Sequence, residues 1–353
     1  MDLGDWRSRI NDIDNQILHL LNQRAEAALQ IGDLKRRQDA PPYAPEREAE
    51  LLSRLTAAAG GPLPAEAIVA VWREIVSACR ALEAPLTVAY LAPQGTFTHQ
   101  AARERFGDAA DYRPSRTIAE IFDDVERGRA ALGVVPVENS TEGAVNVTLD
   151  RLVETDLGIC GELTLDVAQH LLSHAADLAH VKRVLSHPQG LAQCRSWLTE
   201  HLPEVPVEET ASTAGAAEMA AADASIAAIA SDLAGRLYHV PILRERIEDN
   251  HQNATRFLII GRRAGRPSGR DKTSILFAMP NQPGALYRIL EPFAQGGINL
   301  TKIESRPAKR MPWDYVMFVD FEGHRETPVV AAALREIAER TKYLKILGSY
   351  PAA

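Results

Sequence analysis

The heptad spacing of the apolar residues ends at Glu83-Ala84-Pro85 and the period changes there, which marks a boundary between two architectures. Before that point Ile10, Ile13, Ile17, Leu20, Ala27, Ile31 and Leu34 step by three and four, the a and d sites of a heptad. After it, apolar runs at residues 88–91, 132–137, 181–185, 226–230 and 257–260 alternate with helical stretches at 99–106, 118–127 and 190–201. That alternation is the grammar of an α/β domain. At 353 residues and 46% hydrophobic content the chain is also too long for one ordinary core, so two or three domains are expected.

The helical part carries one anomaly. Arg24 occupies an a site where the flanking heptads place Ile17 and Ile31, so a guanidinium is directed into an apolar seam. A buried charge left unpaired is strongly destabilising, so Arg24 calls for an anion. Lys35 lies eleven residues on, within ~20° of the same face, and the two cations can close on one small anion. Arg7 sits ~25 Å from Arg24 along a continuous helix, so it can share that pocket only from a second subunit. A helix over residues 5–36 exposes a stripe that a partner must cover, which predicts a homodimer with shared sites. The plainer alternative is a coiled-coil arm in which Arg24 sets the register. After Pro41-Pro42 a second helix starts with Pro45 and carries Arg47 and Glu48 in its first turn. A third, over residues 64–82, places Trp72, Val76, Cys79 and Glu83 on one face; Glu83 is either a carboxylate on an apolar stripe or the solvated helix end.

Polar clusters border the strand-like runs. They are Gly95-Thr96-Phe97 after Leu91, Glu138-Asn139-Ser140 after Val137, Ser186-His187-Pro188-Gln189 after Leu185, Ser231-Asp232 after Ala230, and Thr255-Arg256-Phe257 where a surface stretch enters a strand. In open α/β sheets ligands bind beyond strand ends, so several such clusters suggest a cleft. A hydroxyl beside a guanidinium suits holding an anion and protonating a leaving group. The sequence has no G-x-G-x-x-G, Walker A, G-x-S-x-G or H-E-x-x-H, which removes support from nucleotide, serine-hydrolase and zinc readings.

Residues 261–270 are rich in Gly, Pro, Ser and Arg and read as a flexible linker. Beyond them, segments at 274–279, 284–295, 298–304, 315–321, 328–340 and 343–350 give the order βαββαβ, that of a ferredoxin-like fold. Asn281-Gln282-Pro283-Gly284 makes its first turn, and Gly284 at a helix start leaves backbone N–H groups for a carboxylate.

The net charge of -8 argues against nucleic acid, and any bound anion must be held by locally placed Arg and Lys. Cys79, Cys160 and Cys194 are scattered without metal-ligand spacing, as in a reducing cytosol. No export signal or membrane-length apolar run is present. A cytoplasmic protein without metal, cofactor or membrane contact is expected.

Together these motifs resemble, over essentially the whole chain, the bifunctional chorismate mutase/prephenate dehydratases of phenylalanine biosynthesis. The resemblance implies a multidomain chain. Residues 1–84 are similar to the all-α chorismate mutase dimerisation domain, through Arg7, Arg24, Lys35, Arg47 and Glu48. Residues 86–262 are similar to the two-lobed, periplasmic-binding-protein-like α/β dehydratase domain, through the clusters at Gly95, Glu138, Ser186 with Gln193, and Thr255. Residues 271–353 look like a ferredoxin-like ACT domain, through Gly284-Ala285-Leu286 and Glu304-Ser305-Arg306-Pro307.

The resemblance also implies roles. Arg24 and a partner chain's Arg7 would bind the carboxylates of chorismate, Lys35 and Glu83 would contact its ether oxygen, Arg47 and Glu48 would orient the ring hydroxyl end, and Cys79 would line the site. A Glu at the Gln-or-Glu position donates only when protonated, so mutase activity is expected to fall as pH rises. Ala44 stands where many relatives carry Asp. For prephenate, Thr255 would donate the proton, with Thr96, Glu138, Asn139, Ser140, Ser186, Gln193 and Arg256 as pocket residues. Phenylalanine would bind as inhibitor at Gly284, Ala285, Leu286, Asn299, Glu304, Ser305 and Arg306. The competing expectation is an amino-acid-sensing binding module with a helical dimerisation arm. A mutase fused to a prephenate dehydrogenase would need the dinucleotide fingerprint that is missing.

Overall fold

The computed structural model describes residues 2–38, 43–263, 265–280, 282–307 and 315–352. Pro41-Pro42, Asn281 of the expected turn and Ala264 of the expected linker lie outside the described residues. The chain forms two compact units, Met1–Thr87 with Arg103–Asp111, and Val88–Ala102 with Tyr112–Ala353.

The first unit is helical. α1 (Leu3–Arg37) starts on a reciprocal cap in which Asp2 accepts from the Asp5 N–H and Asp5 from the Asp2 N–H. α2 (Pro45–Ala57) begins with Pro45, as its fixed φ favours, and α3 (Ala65–Glu83) follows. α1 meets α3 at Gly32, where a Cβ would stand 2.8 Å from the Glu83 Cα; only glycine permits that approach. The other half of α1 is bare, with Trp6, Ile10, Ile13, Ile17 and Leu20 all exposed.

In the second unit the order of strands and helices gives two lobes. The first holds β1 (Thr87–Leu91), α4 (Phe97–Phe106), β2 (Asp111–Ser115), α5 (Ile118–Glu126), β3 (Leu132–Asn139), β4 (Gly143–Ala144), α6 (Asn146–Glu154) and β5 (Gly158–Asp166). The second holds β6 (His170–Leu172), β7 (Arg183–Ser186), α7 (Pro188–Gln193), α8 (Arg195–His201), β8 (Val207–Glu209), α9 (Thr213–Ala222), β9 (Ile226–Ala230), α10 (Asp232–Tyr238) and β10 (Ile242–Arg244). β11 (Ala254–Gly261) then returns to the first sheet, whose order is β2-β1-β3-β11-β5; the second sheet runs β10-β6-β9-β7-β8. The expected single helix over 190–201 is two, broken at Cys194, whose φ of -116° and ψ of 16° leave the helical region while its side chain is buried.

β12 (Asp271–Ala278), α11 (Ala285–Gln295), β13 (Leu300–Pro307), β14 (Tyr315–Glu322), α12 (Pro328–Arg340) and β15 (Tyr343–Pro351) form the expected βαββαβ domain, with strand order β13-β14-β12-β15. One face of this sheet, through Ile275, Phe277 and Val319, is covered by α11 and α12. The other face shares a core with the first lobe, Leu276, Phe318, Leu347 and Tyr350 packing with Val135, Leu258 and Ile260. The linker expected to be flexible is tied down instead: Arg262 donates to the carbonyls of Val125 and Glu126, and the Ser268 N–H donates to Asp271 Oδ2 at 2.9 Å.

Candidate active sites

A cleft of about 420 Å³ opens between the two lobes. Pro136, Asn139, Thr255 and Phe257 come from paired strands of one lobe; His187, Gln189, Gly190, Gln193 and Thr213 come from the other; Val167 and Gln169 come from the crossover. The first residues of α4 and α9, helices of ten residues each, also line it, so two positive helix ends face the space. Among the described residues the lining contains no Arg or Lys, and its one acidic side chain, Glu142, is exposed. The expectation that local cations fix the substrate here is therefore corrected: the cleft offers neutral donors and helix ends.

At its floor is an Asn–Thr pair. β11 runs antiparallel to β3, so the start of β11 lies beside the end of β3 and sets Thr255 directly opposite Asn139. The N–H groups of Thr141 and Glu142 donate to Asn139 Oδ1 at 2.9 and 3.1 Å. Backbone N–H can only donate, so the other end of the amide must be Nδ2, and it donates to Thr255 Oγ1 at 2.9 Å. With its oxygen accepting, the hydroxyl has its proton to donate. His187 caps α7 through Nδ1, which accepts from the Gln189 N–H at 3.2 Å and so leaves Nε2 as the donor of a neutral ring.

Other expected pocket residues serve the walls. Arg256 does not line the cleft. Successive side chains on a strand point to opposite faces, so Thr255 and Phe257 face the cleft while Arg256 faces the C-terminal domain. There it contacts Glu162 Oε2 at 2.7 Å, Asp320 Oδ2 at 2.5 Å and the Tyr350 hydroxyl at 3.1 Å. Burial alone would lower the guanidinium pKa, but Asp320, Tyr350 and Glu162 raise it. Glu138, also turned away, accepts from Lys302 at 2.6 Å. Thr96 donates to the Leu91 carbonyl at 2.7 Å, fully buried Ser186 to that of Ile229 at 2.7 Å, and Ser140 accepts from the Ala254 N–H at 3.0 Å. Sequence reasoning missed Gln169, only 2% exposed and donating through Nε2 to Gln193 Oε1 at 3.0 Å. It is flanked by no motif that marks it.

In the helical unit Lys35 and Glu83 meet, Nζ to Oε2 at 2.6 Å, at the place where Gly32 lets α1 touch α3. Glu83 is half-buried and paired, neither a lone carboxylate on an apolar stripe nor a solvated helix end. Arg24 lies over the Trp72 ring at 5.8 Å, and Cys79 is buried one turn before Glu83. Arg47 and Glu48 are not brought to this pair. Arg47 is exposed and bonds Glu50 at 2.6 Å; Glu48 is taken up by Arg80 and by Arg105, the latter at 2.9 Å. Arg7 is exposed on the bare half of α1.

In the C-terminal domain Gly284 adopts the left-handed region, φ 74°, at the start of α11, with Ala285 and Leu286 next. Asn299 donates to Glu322 Oε1 at 3.1 Å. β13 alternates, placing Ser305 outward while Glu304 is half-buried. Arg306 is not with the α11 start: it bonds Asn146 and contacts Asp150 at 3.2 Å, both on α6.

These features define a class, a two-lobed α/β domain with an Asn–Thr pair in its cleft, preceded by helices carrying a Lys–Glu pair and followed by a βαββαβ domain. Residues 88–265 match the family model for prephenate dehydratase, residues 6–84 that for chorismate mutase type II, and residues 273–339 that for the ACT domain. A bifunctional chorismate mutase/prephenate dehydratase from Aquifex aeolicus (strain VF5) is 50% identical over 356 residues, covering 100% of this chain and 98% of the relative. The structure of a prephenate dehydratase from Arthrobacter aurescens in complex with L-Phe is 35% identical with a TM-score of 0.69, over 75% of this chain and 90% of that one. A structure described as a novel type of quorum quenching acylase aligns similarly, at 35% identity and a TM-score of 0.69, over 76% of this chain and 98% of that one. The chain belongs to the family of bifunctional chorismate mutase/prephenate dehydratases.

Proposed function

We infer that this chain converts chorismate to prephenate in its helical unit and prephenate to phenylpyruvate in its two-lobed domain. The observation that carries the second step is the Asn139–Thr255 bond of 2.9 Å inside a cleft lined by donors. Loss of CO2 leaves an electron pair that enters the ring as the ring C–O bond breaks; the departing hydroxyl takes one proton and leaves as water. Thr255 stands to supply that hydrogen bond, and the Asn139 amide stabilises negative charge growing on Oγ1. The carboxylates of prephenate would rest on the ends of α4 and α9, with Gln169, Gln193 and His187 as neutral donors.

The first step is a pericyclic rearrangement and needs only a clamp for the compact conformer and donors for the ether oxygen. Arg24 and Lys35 fit the clamp; Lys35 and Glu83 fit the ether contact. Arg7 completes the site from a second copy of the chain, whose α1 would cover the exposed stripe. The active form is thus read as a cytoplasmic homodimer. Phenylalanine is read as its allosteric inhibitor, bound by its carboxylate at the N-terminal N–H groups of α11 near Gly284, Ala285 and Leu286, with Glu304 and Ser305 as further contacts; Asn299, beside Glu322, lies toward the opposite end of the sheet. The relative described with L-Phe supports that reading.

Incubation with chorismate, following prephenate and phenylpyruvate with and without phenylalanine, tests the whole reading. Both products should appear in turn, and phenylalanine should slow the second. A chain that binds phenylalanine but turns over neither substrate is a sensor instead.

A further inference from the structure

Behind the Asn139–Thr255 pair lies a second set of partners. Glu138 and Arg256 are directly opposed across β3 and β11, one position from Asn139 and Thr255. On the C-terminal sheet Lys302 and Asp320 are likewise directly opposed across β13 and β14. The two cross-strand pairs meet with opposite charges at each contact, Lys302 Nζ to Glu138 Oε2 at 2.6 Å and Arg256 to Asp320 Oδ2 at 2.5 Å. Arg256 and Asp320 have side chains only 15% and 11% exposed, so this contact is little screened by solvent. Strand alternation makes the arrangement rigid: one face of a two-residue ladder carries the reacting pair, the other carries the clasp.

We propose that Glu138, Arg256, Lys302 and Asp320 form a charge clasp that positions the Asn139–Thr255 pair and is the element through which the ACT sheet governs dehydration. The four are positioning residues, since none lines the cleft. The proposal rests on the reading of Thr255 as the dehydration centre and replaces the expected substrate contacts of Glu138 and Arg256. A shift of β13 against β14 changes which carboxylate each cation meets, and that change reaches Thr255 through one peptide unit. Displacements well below an ångström suffice, because a hydrogen bond weakens steeply with angle and length.

The test uses the full chain and the two clasp residues of the ACT sheet. Lys302→Met and Asp320→Asn should each lower the kcat for prephenate by about tenfold or more, with KM nearly unchanged and mutase turnover retained. They should also shift the phenylalanine concentration for half-inhibition by about fivefold or more. The charge swap Glu138→Lys with Lys302→Glu should recover more kcat than either single variant, and Lys302→Arg should behave like the parent. Parental kcat and parental phenylalanine response in folded single variants overturn the proposal. So does a rise in KM alone, which would return these residues to substrate binding. If the single variants melt early, the swap and Lys302→Arg decide the matter: equal loss in both means packing and no clasp. Should Thr255→Ala retain turnover, the dehydration centre itself is misplaced and the clasp fails with it.

Discussion

Thr255 Oγ1 accepts from an amide whose orientation is fixed by two backbone N–H groups, so its chemistry depends on Asn139 more than on its own acidity. Asn139→Ala should therefore cost about 100-fold in dehydratase kcat, the scale of one preorganised donor, and leave mutase turnover intact. Thr255→Ala should abolish dehydration and Thr255→Ser should keep part of it, both read by phenylpyruvate formation from prephenate. In the helical unit, Glu83→Ala should lower mutase turnover, read by prephenate formation from chorismate, since it removes the partner of Lys35; unchanged turnover takes Glu83 out of the ether contact. Asn139, Gln193 and Thr255 stood out in the sequence and line the cleft, Gln169 lines it without a motif, and the directions of the side chains could not be read. Thr255-Arg256-Phe257 read as one cluster, although neighbours on a strand must face opposite ways. The pairing of Glu48 could not be read, because its partner Arg105 lies on a segment of the α/β region that folds into the helical unit.

At the scale of elements, close approach is set by glycines. At Gly32 a methyl would collide with the Glu83 backbone, so Gly32→Ala should push α1 off α3 at the Lys35–Glu83 pair. A displacement of about 1 Å there should lower mutase kcat by as much as about 100-fold while dehydration continues. Where β15 crosses β5, an added Cβ at Gly348 would stand 2.1 Å from the Ile159 carbonyl oxygen. Gly348→Ala should destabilise the dehydratase–ACT body by about 1–3 kcal/mol, seen as an earlier melting transition. Strands with clean apolar runs were foreseeable. β5 was not, since Gly158–Asp166 carries Glu162 in its middle, and that carboxylate is buried only because Arg256 and Lys272 reach it from elsewhere.

For the whole molecule, the change of period at Glu83-Ala84-Pro85 and the βαββαβ order were enough to read three parts. What the sequence hid was that the ACT sheet shares a core with the first lobe, because contacts such as Lys302–Glu138 join residues more than a hundred positions apart. The bare half of α1 is where assembly is to be tested. Ile13→Glu with Ile17→Glu should yield monomers by sedimentation and abolish the mutase, whose site is proposed to take Arg7 from a second chain, while dehydration persists. That the cleft lining carries no Arg or Lys among the described residues has a consequence for turnover. Prephenate enters with two carboxylates and a hydroxyl and departs as phenylpyruvate with one carboxylate, having given up carbon dioxide and water. A pocket built of many weak neutral donors loses grip on each group as that group leaves, whereas a fixed guanidinium would hold the remaining anion. On the proposed binding mode such a lining would bind the larger set of groups and let the smaller set go, so product release would follow from the choice of donors.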